Sequence, residues 1–285
     1  ERSLISYFTP TYKTGETLLR TYGALARQDD TDWEWVIVND SNCNTLQIAQ
    51  ALAAHDYRIK VYDFAEKSGG LIGDVKYKAA MLCKGYLLCE LDHDDLLTSD
   101  CTSTLRKASQ AFPNAGFFYS DCAEVDSEMN SLTYQEGFCF GYGRYEEENG
   151  FLKCVAPNIN PRTIRHIVGV PNHIRVWRRD AYFAAGGHNR ELPIADDYEL
   201  IVRTFLTTEM VRIPKLLYLQ LMHGSNSQNI QRADIQRRVH TIAMFYNEKI
   251  KERFEQLGKE DWAYNYEGPS KFGEFENFVN LTYNG

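Results

Sequence analysis

The sequence predicts an α/β fold with a mostly parallel central sheet covered by helices on both faces, and three observations carry the prediction. Apolar runs of strand length alternate with helical stretches through the first 121 residues, as expected of a parallel sheet with crossover helices. Two of those runs, 33–40 and 86–92, finish on acids, and ligands of such sheets lie beyond the carboxyl ends of the strands. From Asp121 to about Pro171 the periodicity lapses and Gly, Tyr, Glu and Asn accumulate. A stretch of that length reads as hairpins or a substrate-facing loop region.

In chain order, Leu4 to Thr9 is a strand ended by Pro10, and a helix from Thr14 into Leu25 places Leu18, Leu19, Tyr22 and Leu25 on one face. Trp33 to Asp40 is a second strand, and Thr45 to Ala54 a second helix capped by Asn42 or Asn44. Tyr57 to Tyr62 is a shorter strand, Gly69 to Leu82 is Gly-rich and then helical, and Tyr86 to Leu91 is the central strand. Thr98 to Ala111 is a helix and Gly116 to Asp121 a strand. Past the irregular stretch, His173 to Arg178 alternates as a strand does, Asp180 to Ala185 is a short helix stopped by Gly186-Gly187, and Ala195 to Arg203 is a helix with acids in its first turn. Val211 to Leu221 is strand-like and broken by Pro214, Met222 to Ser227 is turn-rich, and Arg232 to Phe254 is a long amphipathic helix. This divides the chain into a domain of residues 1–230, with a ligand-binding half (1–121) and a second half (122–230), and a helical extension of residues 231–285 packed on it.

The net charge of −8 argues against a nucleic-acid partner, which needs clustered Lys and Arg. Seven cysteines form no CxxC pair, so buried thiols in a reducing compartment fit better than disulfides or a structural zinc. No stretch has membrane-spanning length and no signal peptide is visible, which points to a cytoplasmic protein or one peripheral to a membrane. The first residue is Glu1, which suits a domain cut from a longer multidomain chain.

The strongest chemical feature is Cys89-Glu90-Leu91-Asp92-His93-Asp94-Asp95, a buried strand delivering three carboxylates in four residues. Buried strands seldom stop on that much negative charge without a partner, and a divalent cation carrying a phosphate suits clustered carboxylates. In the D-x-D element, carboxylates two apart in a turn can face one cavity, one taking Mg²⁺ or Mn²⁺ and the other a sugar hydroxyl. An isolated D-x-D is more often a solvated turn.

Thr9-Pro10-Thr11-Tyr12, Val36-Ile37-Val38-Asn39-Asp40, Leu91-Asp92-His93-Asp94-Asp95, Gly186-Gly187 and Ala195-Asp196-Asp197-Tyr198-Glu199-Leu200 stand in the order and spacing of the family 2 inverting glycosyltransferases. The chain resembles that family over roughly residues 3–230. The resemblance implies the GT-A fold, a Rossmann-like mostly parallel sheet with a smaller acceptor-side region and C-terminal helices. It also implies transfer of a sugar from a nucleotide diphosphate donor to a hydroxyl of a glycan or other acceptor, with Mn²⁺ or Mg²⁺ as cofactor. Uracil is the base the family most often uses, which makes a UDP-sugar the leading donor.

Carried over by position, Thr9, Pro10, Thr11 and Tyr12 resemble the nucleobase loop, with Tyr12 stacking on the base and Asp40 accepting a hydrogen bond from it. A strand-ending turn and a capping Asp are the plain alternatives. Asp92 resembles the ribose-contacting acid and Asp94 the metal ligand. Asp95 reads as a helix cap, and His93 as a phosphate contact or a solvent-facing residue. Gly73 and Lys76 lie in a Gly-bearing segment near the phosphates, with Lys67 a second candidate. Lys76-Tyr77 stands where the family usually has Arg-Asn, so a solvated helix lysine is an equal reading. Asp196-Asp197 stands where the family commonly has Glu-Asp, which makes Asp197 the catalytic base and Asp196 an acceptor-binding or orienting acid; dipole complementation at a helix start is the alternative. His223 resembles a histidine completing the metal shell. His173 and Trp177 are acceptor-lining candidates, with Trp177 equally suited to the core.

Two other classes remain open. A sugar nucleotidyltransferase would use a Gly-rich, Arg-bearing loop after the first strand, which Thr9-Pro10-Thr11-Tyr12-Lys13 lacks. A non-catalytic glycan-binding module of the same fold would not hydrolyse a nucleotide sugar.

Overall fold

The computed structural model describes residues 4–134, 144–157, 159–166, 171–223, 232–264 and 281–285. Its first half runs β1 (Ile5–Thr11), α1 (Thr17–Ala26), β2 (Trp33–Asn39), α2 (Thr45–His55), β3 (Ile59–Asp63), α3 (Ile72–Leu82), β4 (Leu87–Glu90), β5 (Leu96–Leu97), α4 (Cys101–Ala111) and β6 (Phe117–Val125). The second half adds β7 (Tyr145–Glu148), β8 (Phe151–Cys154), β9 (Arg175–Arg178), α5 (Arg179–Ala184), α6 (Asp196–Thr207), β10 (Met210–Leu221), α7 (Arg232–Gln256), α8 (Glu260–Ala263) and β11 (Leu281–Thr282).

The strands form one sheet in the order β11-β10-β6-β9-β4-β1-β2-β3, with β5 paired to β10 and the β7–β8 hairpin attached through β6. Pairs β1–β2, β2–β3, β1–β4, β6–β10 and β10–β11 are parallel. β9 is antiparallel to both β4 and β6, between which it lies. This reversal positions the site, because the amino end of β9 thereby arrives beside the carboxyl end of β4.

Apolar side chains fill both faces of the sheet, as βαβ crossovers require. Leu18 and Leu25 of α1, Ala49 and Leu52 of α2, and Leu105 of α4 pack on one face with Trp35 and Ile37. Ala79 of α3, Tyr182 of α5, Leu200 and Ile201 of α6 and Val239 of α7 pack on the other with Phe117 and Trp177. No helix among the described residues is long and apolar enough to cross a membrane.

Some element expectations need correction. β1 does not end at Pro10 but runs to Thr11, paired with β2 as far as Thr11↔Asn39. β4 pairs with β1 only up to Phe8↔Glu90, so the missing N–H of Pro10 breaks no bond on that side. β10 is likewise not broken at Pro214: it runs for 12 residues, and register shifts against β6 around Leu216 absorb the proline. Asn44 occupies the N-cap position of α2 but makes no capping side-chain bond. The C-terminal region adds a strand as well as helices, since β11 pairs with β10 at Val211↔Leu281. Of the expected turn after β10, Gly224 to Ser227 lie outside the described residues.

Candidate active site

Strand ends gather the candidate residues on one rim. Thr11, Asn39 and Asp63 close β1, β2 and β3 side by side, linked from the Thr11 hydroxyl to Asn39 Oδ1 (3.1 Å) and from Asn39 Nδ2 to Asp63 Oδ1 (2.9 Å). Tyr12, the next residue, is 56% exposed and is the one member of the expected nucleobase loop that offers a free face. Thr9 is fully buried; its hydroxyl donates to the Leu91 carbonyl (2.5 Å) and accepts from Trp35 Nε1 (2.7 Å). Pro10 and Thr11 are buried within β1 as well. The nucleotide-contacting side chains expected at positions 9 to 11 are therefore strand residues, committed to holding the rim together.

Asp40 accepts hydrogen bonds from the Ser68 amide (2.7 Å) and hydroxyl (2.5 Å), which ties the Gly69-Gly70 turn to the end of β2. Lys67 bonds Asp63 Oδ1 (2.5 Å) and the Phe64 carbonyl (2.8 Å), so its charge is spent locally. Gly73 is not a phosphate cradle. A Cβ there would lie 2.0 Å from the Asn189 carbonyl oxygen, and its amide donates to the Leu192 carbonyl (3.3 Å). Glycine at 73 lets α3 touch the segment that leads into α6.

Lys76 is neither a solvated lysine nor open to phosphate. It is buried, with Nζ 3.0 Å from Glu90 Oε1 and 3.0 Å from Asp196 Oδ2. Burial alone would lower its pKa, but Asp196 and Glu90 hold it well above the ordinary value. Asp196 in turn has 6% of its side chain exposed, so it faces Lys76 rather than an acceptor. Burial raises the Asp196 pKa, against the pull of Lys76 and with the repulsion of Asp197.

Asp197 follows it at the start of α6, after Ala195 in the left-handed region (φ 58°). Its Oδ1 accepts the Tyr198 amide (2.8 Å), its Oδ2 lies 3.2 Å from Arg175 Nη2, and 22% of the side chain remains exposed. Arg175 also reaches Glu90 Oε2 through Nη1 (3.1 Å) and donates from Nε to the Pro171 carbonyl (3.0 Å). Glu90 is fully buried between these cations. Burial would raise its pKa, yet Lys76, Arg175 and His188 hold it well below the ordinary carboxylate range.

The D-x-D turn divides its work. Asp92 Oδ2 lies 3.2 Å from His173 Nε2; burial pushes the Asp92 pKa up, but the charge and hydrogen bond of His173 bring it down to about 2. The His173 ring stacks on Tyr218 with centroids 4.4 Å apart, and the Tyr218 hydroxyl accepts the Asp92 amide (3.1 Å). Asp94 Oδ2 lies 2.7 Å from His223 Nε2, where His223 is 40% exposed, so the expected metal-ligand pair is adjacent in space. His93 Nδ1 is bound to the Thr14 hydroxyl and is directed into the α1 turn.

Asp95 is not a helix cap. It is buried, and its oxygens accept the Tyr218 hydroxyl (2.6 Å) and the Leu221 amide (2.9 Å), joining β4 to β10. Burial, with Asp92 and Asp94 nearby, raises its pKa well above the ordinary value. Oxygens of Asp92 and Asp95 and a nitrogen of His173 lie within 4.8 Å of one another, a spacing that also suits a cation. Both Asp95 oxygens are already engaged by the Tyr218 hydroxyl and the Leu221 amide, whereas Asp94 and His223 bring a carboxylate oxygen and an imidazole nitrogen together at 2.7 Å.

Trp177 does not line an acceptor pocket. It is fully buried, donates from Nε1 to the Thr204 hydroxyl (3.0 Å) and packs against Phe117, Tyr182 and His188.

Sequence reasoning passed over Glu90, Arg175, His188 and Tyr218. The available signal was Glu90 itself, a charge at the end of an apolar run that only a buried cation could satisfy, with Arg175 in the alternating Ile174-Arg175-Val176.

Comparison with known proteins fits this geometry. The model of the family "Glycosyl transferase family 2" matches residues 6–159. A chondroitin synthase of Escherichia coli is 24% identical over 263 residues, 92% of this chain and 34% of that protein. A hyaluronan synthase of Pasteurella multocida is 22% identical over 242 residues, 85% of this chain and 22% of that protein. The chain thus spans about a third or less of these relatives. Among solved structures, S. aureus TarS in complex with UDP-GlcNAc superposes with a TM-score of 0.64 at 17% identity, covering 89% of this chain and 73% of that one. A Pyrobaculum calidifontis mannosyltransferase with GDP-Man and Mn²⁺ superposes with a TM-score of 0.55 at 12% identity, covering 94% and 66%. The fold is therefore GT-A, and with more than half of its length matched, the chain belongs to glycosyl transferase family 2, a family of inverting sugar transferases.

Proposed function

We propose that this chain is the catalytic domain of a metal-dependent inverting glycosyltransferase that moves a sugar from a UDP-sugar to a hydroxyl of a growing polysaccharide. The single observation that carries the reading is Asp197. It is a partly exposed carboxylate, oriented at both oxygens by the Tyr198 amide and Arg175, on the rim that also bears Asp94 and His223. A general base needs that combination of fixed aim and access to the proton it removes.

In the proposed reaction Asp197 accepts the proton of the acceptor hydroxyl, whose oxygen attacks the anomeric carbon from the face opposite the departing diphosphate. One bond forms and one breaks in a single displacement, so the configuration inverts. Asp94 and His223 would hold Mn²⁺ or Mg²⁺, which would supply positive charge for the leaving diphosphate. Tyr12 is the base-stacking residue, Asp40 the base-contacting acid and Asp92 the ribose-contacting acid. Residues 1–121 serve the donor and 122–230 the acceptor.

Because Trp177 lies in the core and Asp196 on Lys76, other residues must receive the acceptor. An open groove of about 450 Å³ borders Pro193 and Ile194, just before α6, and is also lined by Asp234, Arg237, Arg238 and Thr241. We assign the acceptor chain to this groove, so that α7 joins residues 122–230 on the acceptor side. The uridine donor and the polysaccharide acceptor are supported by the solved complexes with UDP and UDP-GlcNAc and by the chondroitin and hyaluronan synthase relatives. A cytoplasmic location suits Cys43, Cys83, Cys89, Cys101 and Cys122, which are free thiols.

The test is a thermal-shift panel of UDP-, GDP-, dTDP- and CDP-sugars with Mn²⁺ or Mg²⁺, followed by nucleotide-release assays on the binders. A shift by UDP-sugars that needs the cation, with UDP released slowly into water, supports the reading. Binding without any release identifies a glycan-binding module, and pyrophosphate release from UTP and a sugar phosphate identifies a nucleotidyltransferase.

A further inference from the structure

We infer that Glu90 is the positioning residue of the Asp197 base, holding through Arg175 a carboxylate that it never touches. The inference rests on the reading of Asp197 as base and extends it to a buried acid at the end of β4.

The chain of contacts is continuous. β4 and β9 run antiparallel with Cys89 opposite Val176, so one step further Glu90 faces Arg175. The guanidinium sits at a three-way junction: Nε to the Pro171 carbonyl (3.0 Å), Nη1 to Glu90 Oε2 (3.1 Å) and Nη2 to Asp197 Oδ2 (3.2 Å). Each nitrogen has its own acceptor, and the planar fork fixes the direction from which Asp197 is held. The other oxygen of Glu90 lies 3.0 Å from Lys76 Nζ, whose further partner is Asp196 (3.0 Å). Two cation bridges therefore radiate from one buried carboxylate to the two adjacent acids that open α6. His188 Nε2, 3.5 Å from Glu90 Oε1, closes the remaining side.

Without Glu90, Asp197 would be the one carboxylate among the described residues still ion-paired with Arg175, with the charge of Asp92 further off. A guanidinium that loses one of two carboxylates draws closer to the other and occupies both of its oxygens, the geometry of an isolated bidentate pair. Asp197 would then lose the open lone pair that must face the acceptor. Glu90 thus keeps Arg175 shared, and a shared Arg175 keeps the base oriented and available. Glu90 forms no ion pair with Asp94 among the described residues, and its charge reaches Asp92 without pairing to it, so UDP affinity is read beside kcat to separate the two sides of the site.

The test compares Glu90→Gln, which keeps the shape and removes the charge, in the native and in the Asp197→Asn background. In the native background kcat falls roughly 10- to 100-fold, as for a catalytic group misplaced by a fraction of its hydrogen-bond length, while the affinity for UDP with Mn²⁺ is unchanged. In the Asp197→Asn background Glu90→Gln causes no further loss, because the base it served is gone. Arg175→Lys, which keeps the buried charge but cannot span two carboxylates, shows the same pattern and carries the comparison if Glu90→Gln fails to fold. Equal losses in both backgrounds, or a loss confined to UDP affinity, would overturn the inference and leave Glu90 as a structural acid. High transfer activity in Asp197→Asn itself would instead remove the base reading, and this inference with it.

Discussion

Glu90, Asp196 and Asp197 form one acidic group at the carboxyl end of β4 and the start of α6, while Asp94, two residues past Asp92 in the following turn, pairs with the half-exposed His223. The first group is laced together by Lys76 and Arg175, each between two carboxylates. Asp94 meets an imidazole on a half-open surface instead. A carboxylate gripped by a fixed cation has a fixed aim, which favours proton transfer to a defined place. An acid beside a rim imidazole has donors ready for a cation that arrives with its ligand. The two sets of acids are thus suited to different tasks by whether their counter-charge is built in.

That contrast can be broken most forcefully at Asp197. Asp197→Asn is expected to lower kcat about 10²- to 10⁴-fold, the usual worth of a general base, with UDP affinity unchanged, as read by steady-state kinetics beside calorimetric titration. The contact that seats the helix start comes next. In Gly73→Ala the new methyl meets the Asn189 carbonyl at 2.0 Å and must displace the segment feeding α6. About 1–3 kcal/mol of stability and a drop in kcat should follow, seen in urea unfolding and kinetics together.

Away from both clusters, Asp56 gives a single-cation reference. Hydrogen bonds from the Arg58 guanidinium hold its pKa at about 2 against burial. The folded value lies below the ordinary one near 3.9, so the stabilisation is complete above that pH and is lost as pH falls through about 2. Asp56→Asn should cost about 2 kcal/mol at pH 6 to 7, and the difference from the native protein should vanish in unfolding titrations near pH 2. Smallest is Trp177→Phe, which removes the Nε1 bond to Thr204 and some ring volume. A loss of about 1–2 kcal/mol with an unchanged acceptor KM would place Trp177 in the core; a raised KM with unchanged stability would return it to the acceptor pocket.

Local pattern made the fold legible: apolar runs alternating with helical periodicity specify a parallel sheet, and residues that end strands share its rim. The same logic sets Asp40 and Asp92 at strand ends, whereas the roles of Asp94, Asp197 and His223 come only from the family resemblance; the folded chain then puts His223 beside Asp94 from 129 residues away. What a pattern cannot carry is the partner of a buried charge. Lys76 reads as a helix lysine until the end of β4 and the start of α6 bring Glu90 and Asp196 to it. Asp95 reads as a cap until Tyr218 and the Leu221 amide, on a strand more than a hundred residues later, take its oxygens. Thr9 and Trp177 fail for a related reason. A strand residue near a rim points either at ligand or into the core, and only the packed sheet decides which.

The division between the clusters is tested most directly by titrating UDP, with and without Mn²⁺, into the native protein, Asp94→Asn and Asp197→Asn side by side. Mn²⁺-dependent binding of equal strength is expected in the native protein and Asp197→Asn, with its loss in Asp94→Asn. Tight, metal-independent binding by Asp94→Asn, or lost binding by Asp197→Asn, would contradict that division.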